Sequence, residues 1–153
     1  MRIQLFALTL LFTACAFAET ITGKVVSVAD GDTITILDSA KKQTKIRFEH
    51  IDTPENGQAF GQKAKSYLSD LIFGKQVKVI VKRKELYGRS IGSVYLGSKN
   101  INLAMVQAGY AWHFKKYSKD AAFAKTEKLA KAKKLGLWKD KNAMPPWKYR
   151  VMN

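Results

Sequence analysis

An α+β fold, a five-stranded barrel carrying three helices, is what this sequence predicts, and three observations predict it. Short stretches rich in β-branched residues recur between residues 20 and 50 and again between 76 and 97. A helical period interrupts them between the third and fourth stretch. Two further helical segments follow the fifth. Strand propensity and period two against period 3.6 are the physical basis of that reading.

Ile21 to Val28 is the first expected strand. Asp30-Gly31 is a hairpin-turn signal, and Thr33-Ile34-Thr35-Ile36-Leu37 alternates polar with apolar as a half-buried strand does. A turn near Ser39-Ala40 leads to the third strand, Lys42 to Ile51. Over residues 58–73, Phe60, Ala64, Tyr67, Leu68 and Leu71 fall at helical spacing, and Gly74 ends the run. Val77 to Val81 and Ser90 to Leu96 are the fourth and fifth strands. Asn100 caps a short helix that stops at Gly109. Ser118 or Asp120 starts the last helix, with Phe123, Ala130 and Leu137 at seven-residue spacing and Gly136 near its end. The tail from Trp138 to Asn153 contains Pro145-Pro146 and reads as irregular, with Trp138 and Trp147 as anchors. Three strands, a helix, then two strands is the order of an OB-type barrel, a fold that commonly binds nucleic acid.

The chain divides into a targeting segment at 1–18, one domain at 19–140 and a tail at 141–153. Arg2 precedes an apolar run from Ile3 to Phe12, and Ala16-Phe17-Ala18 is a small-x-small cleavage site, the pattern of an export signal. The expectation is a periplasmic or extracellular protein. Phe12 to Cys15 also resembles a lipoprotein box, although Phe12 stands where leucine is usual. Cys15 is the sole cysteine, so the domain folds without disulfides, and zinc held by a cysteine and histidine cluster is excluded. The formal net charge of +15 suits a polyanion, either nucleic acid or an anionic cell surface. Part of it is an ordinary solvated helix face: Lys125, Lys128, Lys131, Lys133 and Lys134 add non-specific attraction.

The residues that bear chemistry are concentrated in short motifs. Asp30-Gly31-Asp32-Thr33 and Asp52-Thr53-Pro54-Glu55 present carboxylates suited to a hard divalent cation. Each motif also reads as a turn or a strand end. Glu55 is placed to take a proton from water, and equally to sit in the first turn of a helix. Arg47 and Arg89 match phosphate bidentately and stay charged at any working pH. Tyr87, Trp112 and Tyr117 offer rings for bases, Trp112 being the one expected in the core. His50 and His113 read as isolated packed or surface residues.

Taken in order, these stretches resemble the thermonuclease family, the staphylococcal-nuclease-like domains. Val28 to Thr33, Ile46-Arg47 through Glu55, Tyr87-Gly88-Arg89, Asn102 to Val106 with Gly109, and Gly136-Leu137-Trp138 carry the likeness over residues 20–140. It implies a calcium-dependent nuclease acting on DNA and RNA, single strands preferred, working as a monomer. Cleavage of the 5′ P–O bond would leave 3′-phosphates. One Ca2+ would be held by the Asp32 and Asp52 side chains and the Thr53 carbonyl. Glu55 would be the general base, Arg47 and Arg89 would bind the phosphate, and Tyr87 and Tyr117 would contact substrate. The sequence departs from the family's best-known members in a short connection from Asn56 to Gln62, in Leu86, and in Lys115 where a nucleotide-binding tyrosine is expected. A non-catalytic OB module for single-stranded nucleic acid is the alternative. It would need the charge and the aromatics, but not the complete set of Asp32, Asp52, Glu55, Arg47 and Arg89. A third reading, a basic face for anionic envelopes, needs neither calcium nor the arginines.

Overall fold

Alternation in the strands is resolved as one closed barrel in the computed structural model, which describes residues 18–153. The expected targeting segment at 1–18 and Cys15 lie outside those residues, apart from Ala18. The barrel strands are β1 (Glu19–Asp30), β2 (Thr33–Leu37), β3 (Gln43–Phe48), β5 (Gln76–Lys84) and β6 (Ser90–Leu96). They run in the order β3-β2-β1-β5-β6, and a parallel pairing of β3 with β6 closes the circle. Two-residue strands β4 (Ile51–Asp52) and β8 (Trp112–His113) pair with each other, and β7 (Lys99–Asn100) extends the edge beside β6. The helices are α1 (Gly61–Ile72), α2 (Ile101–Gln107), α3 (Ala121–Ala132) and α4 (Pro146–Met152), with a 3-10 turn at Gly136–Lys139.

The five-stranded barrel is as expected, with four helices rather than three. The added one is α4, so the tail is not irregular throughout. The expected third strand is also divided. It bends at Glu49-His50, where His50 adopts a φ of 69°, and Ile51–Asp52 leaves the barrel to pair with β8. That break turns Asp52 away from the β3 ladder.

Inward-facing Val25, Ile34, Ile36, Ile46, Val79 and Val94 fill the barrel. Ala64, Leu68 and Ile72 of α1 are buried against the same core, as their helical spacing requires. Both expected caps are present. The Asn100 side chain accepts from Leu103 N at 3.0 Å, and Asp120 Oδ1 accepts from Ala122 N at 2.8 Å. Phe123 and Ala130 are buried on α3 as expected, but the helix ends at Ala132, where Lys134 and Gly136 turn to positive φ, so buried Leu137 belongs to the separate 3-10 turn and not to the helical stripe.

One buried polar residue ties the barrel to the bend. Asn102 accepts from Val94 N at 3.0 Å and donates to the carbonyls of Glu49 at 3.0 Å and Gly92 at 3.1 Å. Its full set of partners is what makes its burial tolerable.

The turns after α2 and α3 meet at two glycines with positive φ, Gly109 at 78° and Gly136 at 51°. A Cβ on Gly109 would sit 2.3 Å from the Leu135 carbonyl oxygen. Gly109→Ala is therefore expected to cost about 3 kcal/mol through backbone strain and overlap together. A urea-unfolding midpoint measures it, and a variant as stable as the parent would show that the two turns can separate freely.

Candidate active site

Closure of the barrel brings the charged motifs to one end. Thr33 lies opposite Arg47 in the β2–β3 ladder, and Arg47 opposite Ile91 in the parallel β3–β6 pairing. Arg89 precedes β6 and so arrives beside Arg47, while Asp32 sits in the turn before Thr33. The result is a cleft of about 810 Å3 whose walls include Asp32, Arg47, Thr53, Glu55, Arg89 and Tyr117.

Asp32 is 3% exposed and Asp52 1%. Both are ion-paired to Arg47: Asp52 Oδ1 accepts from Nη2 at 2.8 Å, and Asp32 Oδ2 pairs with Nη1. Thr53 fixes Asp32 from the other side, its N–H donating at 2.8 Å and its hydroxyl at 2.9 Å to the same Oδ2. Asp32 Oδ1 receives the Thr33 hydroxyl, at 3.2 Å. Burial raises the Asp32 pKa above 3.8, with the Arg47 charge opposing it in part. Burial alone would lower Arg47, but Asp32 and Asp52 outweigh it and hold the guanidinium above its ordinary value. Among the described residues, no three histidine, cysteine or carboxylate side chains group as a metal cluster. Two buried carboxylates converging on one cation nevertheless suit a hard divalent ion whose remaining positions go to a backbone carbonyl, water and substrate.

Glu55 is held by a compact turn. Its N–H donates to Gln58 Oε1 at 2.9 Å, and its carbonyl accepts from Gln58 N at 3.0 Å. Gly61 packs so closely beneath that a Cβ would lie 2.0 Å from the Glu55 carbonyl oxygen. The short connection seen in the sequence is thus an ordered turn aiming Glu55 at the cleft. Its side chain is 33% exposed.

Arg89 lines the cleft and is held by Glu85, with Nε donating at 2.6 Å and Nη2 at 3.1 Å. That hydrogen bond sets the Glu85 pKa below its usual value, outweighing partial burial. Tyr117 reaches the cleft rim, where Arg83 and Lys116 lie over its ring at 5.8 Å and 5.3 Å. Tyr87 does not: it is 94% exposed at the β5–β6 turn and off the cleft wall.

Several participants escaped the sequence reading. Arg150, on α4, donates to Asp52 at 2.8 Å and 3.2 Å and to Glu55 at 2.5 Å. The hydrogen bond with Asp52 raises its pKa, outweighing burial. Lys131 is not simply solvated. It pairs with buried Glu127 at 3.2 Å and lies over the rings of Trp112 and Trp138 at 4.9 Å and 4.4 Å. His50 and His113 are not isolated either: Ser118 Oγ bridges them, at 2.8 Å from His50 Nδ1 and 2.9 Å from His113 Nε2. Burial lowers the His113 pKa.

An OB-type barrel that gathers arginines and carboxylates in one cleft has the donors to hold a phosphodiester, and the class of protein is fixed by its relatives. The family model described as staphylococcal nuclease homologue matches residues 45–140. A protein of Haemophilus influenzae named as an uncharacterized endonuclease is 44% identical, over 97% of this chain and 85% of its own. A micrococcal nuclease of Shigella flexneri is 42% identical over 94% of this chain and 88% of its own. Protein ParB of Escherichia coli is 36% identical over 94% and 87%. The chain belongs to the staphylococcal nuclease family and is a hydrolytic nuclease.

Proposed function

We propose that this protein is an exported, calcium-dependent endonuclease of DNA and RNA that prefers single strands and acts as a monomer. Asp32 and Asp52, with the Thr53 carbonyl, would hold one calcium ion. The observation that carries this is the convergence of both buried carboxylates on the Arg47 guanidinium, beside a cleft that also holds Glu55 and Arg89.

When bound, calcium would supply Lewis acidity at the scissile phosphate and a template for it. The remaining chemistry belongs to the chain. Glu55, partly exposed and held by the Gln58 turn, takes a proton from water as the water oxygen bonds to phosphorus. Arg47 and Arg89 meet the negative charge that gathers on the phosphoryl oxygens. The P–O5′ bond breaks, the 5′ oxygen leaves and takes its proton from solvent water, and the 3′ side keeps the phosphate. Tyr117, flanked by Arg83 and Lys116, offers a stacking face with positive charge beside it for the unpaired strand. Tyr87 at its exposed turn would contact longer substrates outside the cleft.

Denatured DNA incubated with the protein is expected to be cut with calcium and left intact with a chelator. Equal cleavage in both tubes would remove calcium from the reading. Retardation of the DNA on a gel with no cleavage in either would point to binding without catalysis.

A further inference from the structure

The C-terminal helix occupies the place where the metal site and the base meet. Arg150 covers both oxygens of Asp52 and one of Glu55. Asp52 consequently contributes nothing to the cleft wall and is 1% exposed, although Asp32 and Thr53 beside it are open to the cleft. Both Asp52 oxygens are therefore already engaged by the Arg150 guanidinium, which an ion at Asp52 would have to displace.

Charge explains why something must sit there. Asp32, Asp52 and Glu55 bring three negative charges, and Arg47 alone offsets one of them. Carboxylates as buried as Asp32 and Asp52 are costly unless compensated. A divalent cation together with Arg47 would balance all three. Without the ion, Arg150 is the available substitute, and with the ion bound Arg150 becomes surplus positive charge against the same oxygens.

The helix is docked by separable contacts rather than built into the core. Trp147 stacks on Phe114 at 5.4 Å and meets Trp112 edge-on at 5.6 Å. Gln58, which sets the Glu55 turn, donates to the Met144 carbonyl at 2.7 Å. Within α4 only Pro146 is buried, while Val151 and Met152 are exposed. A cavity of about 270 Å3 lies between the tail and the body, lined by Phe60, Leu137, Met144 and Tyr149. The Arg150 side chain itself remains 41% exposed.

We propose that α4 is a removable latch: Arg150 and the divalent cation compete for Asp52, so that metal binding and release of the helix are one linked equilibrium. This rests on the calcium reading of the site. It assigns to the metal-free protein a closed state, with a metal ligand and the base both held by Arg150. Linkage makes the effect reciprocal, so whatever weakens the latch strengthens metal binding.

The test is calcium titration of the purified protein without nucleic acid, by calorimetry and by tryptophan fluorescence. Arg150→Gln is expected to bind calcium about tenfold more tightly than the parent. Lys116→Gln, which removes a charge from the same cleft without touching Asp52, controls for general electrostatics and is expected to gain far less. Calcium should shift the parent's emission as Trp147 leaves Phe114. Trp147→Phe should lose that shift, and Arg150→Gln should show most of it before calcium is added. Calcium affinity that is equal or weaker in Arg150→Gln, a gain matched by Lys116→Gln, or a Trp147 signal indifferent to calcium would each overturn the latch while leaving the calcium site standing. No calcium uptake by parent or variants, with no calcium-dependent cleavage, would overturn the metal reading itself, and the latch with it.

Discussion

Glu55→Gln is expected to slow calcium-dependent cleavage by about 10²–10⁴-fold, the range that a positioned general base contributes. Retention of denatured DNA on a gel should stay within a few-fold of the parent. The substitution keeps the shape of the side chain and the turn that carries it, because the Gln58 contacts are made by the Glu55 backbone. What it removes is the proton-accepting oxygen in the cleft and the charge opposite Arg150. Single-turnover cleavage at saturating calcium isolates the chemical step from metal binding, which matters because weakening the contact with Arg150 should itself favour calcium. A variant that cleaves normally would move the base elsewhere in the cleft. Loss of cleavage and binding together would indicate a damaged site and a wrong role for Glu55.

The barrel was legible because its strands obey period two over five or more residues and its turns announce themselves. Asp30-Gly31, Gly74 and Gly109 all lie at boundaries the structure keeps. The break at His50 was not legible. A non-glycine residue at φ 69° is selected by tertiary packing, and the two-residue strands β4 and β8 are shorter than any period can reveal. The helix α4 left one unused signal, since Pro146 stands at its first position, where proline is favoured. Seven residues are too few for a helix to persist alone, so the stacking of Trp147 and the Gln58 contact decide its presence.

The same division runs through the site. Asp32, Arg47, Asp52 and Glu55 lie within one stretch of strand and turn, so a local motif could show them together. Arg150 lies 98 residues from Asp52, and nothing in its neighbourhood marks it as an active-site residue. The two histidines on Ser118 illustrate the point again: His50 is 68 residues from that hydroxyl, and only the fold makes them partners. Lys131 looked like one of several solvated lysines because helix periodicity reports a face, and cannot say that Trp112, Trp138 and Glu127 wait beside it.

Arg47→Ala is expected to lower stability by about 3–5 kcal/mol in chelator, the cost of stripping one partner from a buried ion pair. Two carboxylates of very low exposure would lose a shared counter-charge. Cleavage should fall by about 10²–10³-fold as well, as for removal of one donor to a developing oxyanion. The stability loss should depend on pH in a definite direction. The Asp32 pKa is already raised above 3.8 by burial, against the pull of Arg47, and removing Arg47 raises it further. A group with a raised native pKa contributes its stability below its unfolded value and loses it as pH rises through the native one. The deficit of Arg47→Ala should therefore shrink at acidic pH, as pH falls through the raised native pKa of Asp32, and reach its full size above it, toward neutral pH. Calcium should restore part of it at neutral pH, because the ion offsets the same two charges. Urea midpoints with calcium and with chelator, at acidic and at neutral pH, separate these effects. A deficit that ignores both pH and calcium would mean that Arg47 supports the barrel by packing alone. A deficit that calcium shrinks at neutral pH would identify Asp32 and Asp52 as the carboxylates that Arg47 and the metal share.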